Sequence, residues 1–436
     1  MQAHSKVGVK SRLPRLLFVT WYLPREIASD SHGVFQRMKM MIKACSLGSS
    51  SVQVLFLTTH QNAAEQANID QVRAWVTKSV GAEVDTAVMT VQVRKTVVNQ
   101  LSRGIGDYFG PSPIRTLNLE SREALERRIS AYKPDLIFAH RLESFRAARM
   151  ACAGRPIPIL LDLDDIEHLA HTRTVLAPPH YRTKRLQLAH VPGLWMEERR
   201  ALKLCSNVLV CSDLDQNKLQ QMIKQAQVST IPNACDIPSD LADTPLEERK
   251  LDVLFVGMLH YAPNSNGMKW FLQSVWPLVR DRVPTARLQI VGRGGEELPV
   301  PKALADSVCV HGFVDSLSAM YRASRVAICP LHSGGGTRIK IIEAAAYQVP
   351  TVATTIGAEG LAFEDGKSIL LRDSPMAFAE AVIQLLSDQK AAQRMAGEAF
   401  KAFKLNYERQ AVIAKVAKLI SQVEHARQVD QTIKLT

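Results

Sequence analysis

No run in this 436-residue chain reaches the ~18–20 uninterrupted apolar residues that a membrane-crossing helix needs. The first apolar run, LLFVTWYL at 16–23, is too short to span a bilayer and too near a proline-flanked turn for a signal core, so it reads as a strand. Cysteine is sparse and unpatterned. There are seven, an odd number, with no CxxC pair, which excludes a disulfide frame and finger-type metal sites. Several lie inside apolar runs (VLVCS, VAICP), as buried thiols do in a reducing compartment, so a cytoplasmic location is expected. No RNP-like aromatic strand accompanies the basic charge, and nucleic acid is not an expected partner. Solenoid repeats and low-complexity tracts are also missing.

Acidic residues are short in the first half. Residues 1–200 carry 28 Lys+Arg against 18 Asp+Glu, whereas 201–436 carry 26 against 24, and the net charge is +12. Such an excess attracts phosphates and anionic membrane surfaces. It is also compatible with an ordinary soluble surface. Apolar residues make up 46% and the length exceeds one ordinary core, so two domains are expected.

What the chain does have is alternation. Short apolar, β-branched runs recur at 16–23, 52–59, 135–140, 158–165 and 207–212, then at 252–259, 287–294, 308–314, 326–332 and 350–355. Between them lie stretches with helical spacing, among them 37–45, 121–132, 268–281, 338–348, 377–388 and 410–423. Runs of this kind predict parallel strands covered on both faces, hence an α/β chain with two doubly wound, Rossmann-like units. The polar, proline-containing stretch 236–250 reads as the link between them. The expected domains are 1–240, 250–405 and a terminal helix over 406–436 that packs back towards the first domain. The polar tail from about Glu424 is expected to fray.

The strongest chemical signal is HSGGGTRIKIIEAAAYQVPTVAT, 332–354. Gly334, Gly335 and Gly336 allow close approach of a ligand to the backbone. Thr337 can cap the following helix. A helix N-terminus behind a glycine turn suits a diphosphate, and Arg338 and Lys340 add charge beside it. Glu343 could accept hydrogen bonds from ribose hydroxyls. A glycine turn before a core helix with two solvated cations is the bland alternative. Further along, Gly257 ends a strand ahead of a loop with Pro263, Asn264 and Asn266 and a helix from about Gly267. Gly312, Phe313 and Val314 follow another strand and could read a base edge, while Tyr321 is by spacing more often core.

In the first half, PILLDLDDIEH (158–168) ends a strand with Asp162, Asp164 and Asp165, then Glu167 and His168. Helix capping by Asp164 or Asp165 is one reading. The Asp162-Leu163-Asp164 pattern is a short DxD with a high chance rate. Arg141 and Glu143 sit at another strand end and could meet an acceptor.

Together these segments resemble the group 1 retaining glycosyltransferases, whose fold is GT-B: two Rossmann-like domains facing a cleft. The resemblance runs from about 205 to 425. It rests on VSTIPNACDIP (228–238), the F-V-G strand, the H-G-F-V element, the glycine turn, E-A-x-A-x-x-x-P-T-V-A and the long terminal helix. It implies that Glu343 holds the ribose, that Gly335, Gly336, Arg338 and Lys340 hold the diphosphate and sugar, and that Gly312 to Val314 face the base. His32 and Gly33 resemble the family's glycine loop near the donor diphosphate. Many relatives place a histidine where Asp164 stands, so Asp164 or Asp165 is expected to line the reaction centre. Many also carry a first glutamate where this chain has Gly335, so a carboxylate that meets the donor sugar is missing.

The implied activity is transfer of a sugar from a nucleotide-diphosphate sugar to a glycan or lipid-linked acceptor with retention, in polysaccharide or glycoconjugate biosynthesis. No cofactor or metal is expected. Contact with the inner face of an anionic membrane is compatible with the charge. A non-catalytic nucleotide-sugar-binding subunit and a nucleotide-sugar 2-epimerase are the alternatives.

Overall fold

The computed structural model describes residues 12–24, 33–59, 69–93, 115–152, 154–176, 182–239 and 248–435. His32 and most of the expected link, 240–247, lie outside them.

Among the described residues thirteen strands form two sheets. The first contains β1 (Arg15–Thr20), β2 (Ser51–Thr58), β3 (Asp85–Thr90), β4 (Leu136–His140), β5 (Ile159–Asp164), β6 (Asn207–Val210) and β7 (Val228–Thr230) in the order β3-β2-β1-β4-β5-β6-β7. The second contains β8 (Lys250–Val256), β9 (Arg287–Val291), β10 (Val308–Gly312), β11 (Ser324–Cys329), β12 (Thr351–Ala353) and β13 (Leu370–Leu371) in the order β10-β9-β8-β11-β12-β13. Every pairing between these strands is parallel. The central strands are buried along their whole length, as helices on both faces demand.

In each sheet the order of strand addition therefore reverses once, between β1 and β4 and between β8 and β11. In a doubly wound sheet the loops at such a switch point diverge and leave a crevice at the carboxyl ends of the strands.

The first lobe has one core on each face of its sheet. One contains Leu17, Val19, Leu55, Ile137 and Leu161. The other contains Phe18, Val54, Phe56 and Phe138, and also Val412, Ile413, Val416 and Ile420 from the terminal helix Arg409–Leu435. That helix lies against helix Gly33–Gly48 and fills the second face from the far end of the chain. The second lobe builds its main core around Phe255, Phe271, Trp276 and Phe378.

Several local expectations change. The terminal helix does not fray at Glu424: Glu424 is buried, and Arg427 bridges it to Asp135 at 3.1 Å. The helix expected from Gly267 begins at Ala262, with Pro263 in its first turn, where a missing N–H costs nothing. It passes through a π-type turn over Phe271–Val275 next to Pro277, which removes a backbone donor from the ladder.

Candidate active site

The loops after β8 and β11 meet at the second lobe's switch point. Lys340, in the first turn of helix Ile339–Ala346, sends its ammonium back to this junction. Nζ donates to Asn264 Oδ1 at 2.9 Å and stands 4.1 Å from the centre of the Phe255 ring. No carboxylate forms an ion pair with it among the described residues. Burial lowers its pKa to about 8. Nζ also lies 2.7 Å from the position a Cβ on Gly257 would take, so a side chain at 257 would displace the charge. A mainly buried cation whose direct contacts are an amide oxygen and a ring face can accept an anion.

The glycine turn wraps the same place. Gly334 and Gly336 have φ of 107° and 71°, which glycine adopts freely. The Arg338 guanidinium donates to the carbonyls of Gly335 and Gly336, while its Nε is buried without a partner. Thr337 does not cap the helix. Arg338 occupies the cap position, with no side-chain hydrogen bond, and the Thr337 hydroxyl instead accepts from Asn233 Nδ2 at 2.8 Å. The first N–H groups of this helix thus have no side-chain cap.

Glu343, one turn on, accepts from the Tyr321 hydroxyl at 3.1 Å. Burial raises its pKa, opposed by that hydrogen bond and by Lys340. Tyr321 is buried and stacks on Tyr347 at 5.0 Å, so it supports Glu343 from the core. Phe313 is exposed beneath the Arg293 guanidinium at 5.0 Å, and the Gly312 carbonyl accepts from Gly292 N. Val314 packs into a small cluster with Tyr321 and Tyr347.

The facing edge of the first lobe is a buried charge cluster. Arg37 is fully covered. It binds Asp162 through Nη2 at 2.6 Å and Nε at 3.0 Å, and its Nη1 reaches the Ile231 carbonyl at 2.9 Å and Asn233 Oδ1 at 3.3 Å. Arg141 holds Asp164 at 2.6 Å. Both of these residues have positive φ, 72° and 62°, an unfavourable backbone that the ion pair and the strand ends keep in place. Burial alone would raise the Asp164 carboxyl, but Arg141 and Arg37 bring it below its ordinary value. The DxD carboxylates are therefore engaged by arginines. Among the described residues no group of three or more His, Cys, Asp or Glu could hold a metal ion.

His140, at the end of β4, is buried with Nδ1 3.0 Å from the Thr20 hydroxyl. Burial, with Arg141 beside it, lowers its pKa to about 3, so the ring is neutral. Its Nε2 has no hydrogen-bond partner among the described residues. His168 is drawn away from the cleft, since its ring nitrogen binds Glu198. Glu143 lies 3.6 Å from Arg115. Burial raises Glu167 to about 8, with Arg141 opposing and Glu143 and Glu198 adding.

Asp165 behaves differently from its neighbours. Burial raises its carboxyl to about 6, with Asp164 and Asp215 adding and Arg141 and Arg338 opposing. It belongs to the first lobe, yet its Oδ2 lies against Gly335 of the second. The lobes also meet where a Cβ on Gly33 would approach Ile339 Cδ1 to 2.9 Å. Helices Gly33–Gly48 and Ile339–Ala346 thus point their positive ends at one region. Arg173 clasps Glu359 with two bonds, at 2.5 and 3.0 Å.

The structure gathers Gly33, Asp165, Gly257, the 334–336 turn, Thr337, Arg338 and Lys340 around this crevice, while Asp164 is held by Arg141 and Arg37. Sequence reasoning missed Arg37, His140 and Asn233. Asn233 lay within the quoted IPNACD segment. A lone arginine among the apolar positions of 37–45 was the available signal for Arg37.

Two parallel Rossmann-like sheets with their switch-point crevices turned to each other define the GT-B architecture. Models of known families match both halves: glycosyltransferase family 4 over residues 71–238, and group 1 glycosyl transferases over 250–388. The chain belongs to this family of GT-B glycosyltransferases. It is 27% identical over 175 residues to an uncharacterized 44.6 kDa protein in the cps region of Klebsiella pneumoniae, and the match spans 45% of that relative and 38% of this chain.

Among solved structures it resembles sucrose-phosphate synthase from Thermosynechococcus elongatus, with a TM-score of 0.66 and 15% identity over 94% of this chain and 99% of that one. It also resembles the pneumococcal O-GlcNAc transferase GtfA in complex with UDP and GlcNAc, with a TM-score of 0.63 and 12% identity over 95% and 99%. HepE from Anabaena, in complex with UDP, gives a TM-score of 0.61 and 16% identity over 94% and 100%. At these identities the likeness shows the fold.

Proposed function

We propose that the protein transfers a sugar from a nucleotide-diphosphate sugar to a glycan or lipid-linked acceptor with retention of configuration, in polysaccharide or glycoconjugate biosynthesis. The observation that carries this reading is the Lys340 ammonium, covered at the β8/β11 switch point with no carboxylate in ion-pair contact among the described residues. Family membership and the likeness in fold to proteins solved in complex with UDP support it.

In this reading residues 250–405 bind the donor and 1–240 the acceptor, and closure of the lobes excludes water from the crevice. The diphosphate lies on the N–H groups ahead of helix Ile339–Ala346, between Lys340 and Arg338, with Gly33 approaching from the other lobe. Glu343 holds the ribose and Gly312 to Val314 the base. The bond from the anomeric carbon to the diphosphate oxygen breaks, and the acceptor hydroxyl attacks the same face. Its proton passes to the departing oxygen. Negative charge grows on the diphosphate, so Lys340 and Arg338 stabilise the transition state more than the ground state. Asp165, free of any ion pair at 4 Å or less among the described residues, provides the carboxylate at the sugar end. Asp164 and Arg141 position that loop. The seven free cysteines fit a cytoplasmic site of action.

A thermal-shift panel of UDP, GDP, ADP and TDP sugars, followed by transfer assays with the donor that binds, tests the reading. A raised melting temperature with one nucleotide family, and turnover with an acceptor, are the expected results. No shift with any of them would remove the donor site, and free epimerised sugar without acceptor would replace transfer by epimerisation.

A further inference from the structure

Helix Val191–Leu204 sorts its residues by sign. Leu194, Glu197, Glu198, Ala201 and Leu202 face inward. Both acids are used there: Glu198 accepts the backbone N–H of His168 at 3.1 Å, and Glu197 accepts from Arg200 and Arg146 at 3.1 and 3.5 Å. The outward face carries Trp195, Met196, Arg199, Arg200, Lys203 and Leu204, which is cations and apolar side chains with no acid. Trp195 and Met196 are 40% and 52% exposed. Arg199 stacks on the Trp195 ring at 4.8 Å, which holds the indole outward beside a charge. Among the described residues, five of the 18 exposed large apolar side chains fall between Leu176 and Leu204, so this stretch concentrates what the rest of that surface scatters. At the helix end an open depression of about 370 Å³ is lined by Leu202, Lys203, Met222, Ile223 and Lys224.

We infer that this face, helix Val191–Leu204 with the depression at its end, docks the first lobe on an anionic phospholipid surface. A protein partner would meet a patch whose centre is depleted of charge. Here single apolar residues are interleaved with cations, the pattern of a helix lying in a membrane interface with its indole at headgroup level and its basic groups among the phosphates. The lobe's own excess charge, 28 Lys+Arg against 18 Asp+Glu over 1–200, steers this side towards a negative surface. No described helix is long and apolar enough to cross a membrane, so the contact is peripheral and salt-sensitive.

Sedimentation of the full chain with vesicles tests the inference. The protein should co-sediment with an equal mixture of phosphatidylcholine and phosphatidylglycerol, not with phosphatidylcholine alone, and high salt should release it. R199E/K203E/K224E should lower the bound fraction about tenfold or more, at ~1 kcal/mol per basic residue near the surface. Lys203 and Lys224 make no ion pair among the described residues, so K203E/K224E serves as a second variant that spares the Arg199 contacts. W195S/M196S should bind several-fold less with the salt dependence retained. K203E/K224E should keep the parent melting temperature, and all variants should keep the shift given by the nucleotide sugar that the panel identifies, which separates this idea from the donor site. A parent protein that stays in the supernatant with both vesicles, a K203E/K224E protein that binds as the parent does, or binding to single-stranded RNA but not to vesicles would each overturn it.

Discussion

The Asp165 carboxylate of the first lobe occupies the space that a side chain on Gly335 of the second would need. A Cβ at 335 would run into Asp165 Oδ2 and approach the Ala170 methyl to 3.1 Å. The family resemblance of the sequence leads one to expect a glutamate at this point of the turn, and this chain has glycine. The geometry offers a physical reason: a carboxylate already arrives at the same place from the opposite lobe. Two acids there would repel each other in a poorly solvated crevice.

This pairing makes a coupled prediction. Gly335→Ala should cost ~10²-fold in turnover, since displacement of a reacting-site group by about 1 Å has effects of that size. Asp165→Ala should cost a similar amount. The double variant should lose far less than the product of the two, because the added methyl then enters the vacated space. Strictly multiplicative losses in kcat would mean that the two positions act independently.

The raised carboxyl of Asp165 also has a stability signature. Folded, the group keeps its proton up to about pH 6, and in the unfolded chain it releases it near 3.8. Between those values the folded state binds more protons, so stability falls as pH rises through this window and stays lower above it. Asp165→Asn removes the cost of ionising the buried group. The variant should be more stable than the parent by roughly 1–2 kcal/mol near pH 7, a discounted figure for a partly exposed group. The gap should close below about pH 4. Urea titrations at several pH values measure it, and a gap that widened towards acid would contradict the sign.

Lys340 offers the reverse combination of stability and binding. Without ligand its charge is buried against Asn264 and the Phe255 ring, and among the described residues no carboxylate is in ion-pair contact with it. Lys340→Met should leave the apo protein as stable as the parent or more so, while abolishing the melting shift given by the nucleotide and lowering turnover ~10²-fold or more. A Lys340→Met protein that melts early yet still shifts with nucleotide would make the lysine structural. Arg338→Ala should lose comparable turnover, and it also frees the Gly335 and Gly336 carbonyls, so its apo stability should fall.

What could be read from the sequence and what could not follows from the range of the interactions. The central strands announced themselves as continuous apolar runs because both their faces are covered. β3, DTAVMT, did not, since it is an edge strand and most of it is half-buried. The glycine turn and the cations behind it are neighbours in sequence, and so was their chemistry. Thr337 was misjudged as a helix cap because its partner, Asn233, stands 104 residues away. The Asp165–Gly335 contact and the Arg37 cluster also join distant segments, and no spacing rule along one chain exposes such pairs. The DxD pattern is the clearest lesson. Its carboxylates looked available in sequence, but in the fold two arginines from other elements hold them.

Arg37 and Asp162 come from positions 125 residues apart and are both fully buried. Helix Gly33–Gly48 delivers the guanidinium and β5 the carboxylate, and the second amino group ties both to the Ile231 carbonyl. Such a pair contributes little against a well-packed apolar substitute, because desolvation offsets the attraction, but removal of one partner strands the other. Arg37→Met should therefore destabilise the protein by ~3–5 kcal/mol. Asp162→Asn in the same chain should recover a good part of that, since no uncompensated charge remains. The loop after β5 carries Asp164 and Asp165, so the single variant should also lose transferase activity at temperatures where it is still folded. Denaturant midpoints for the two single variants and the double complete the cycle. If Arg37→Met alone leaves the midpoint unchanged, the cluster does not hold the first lobe's share of the site in place.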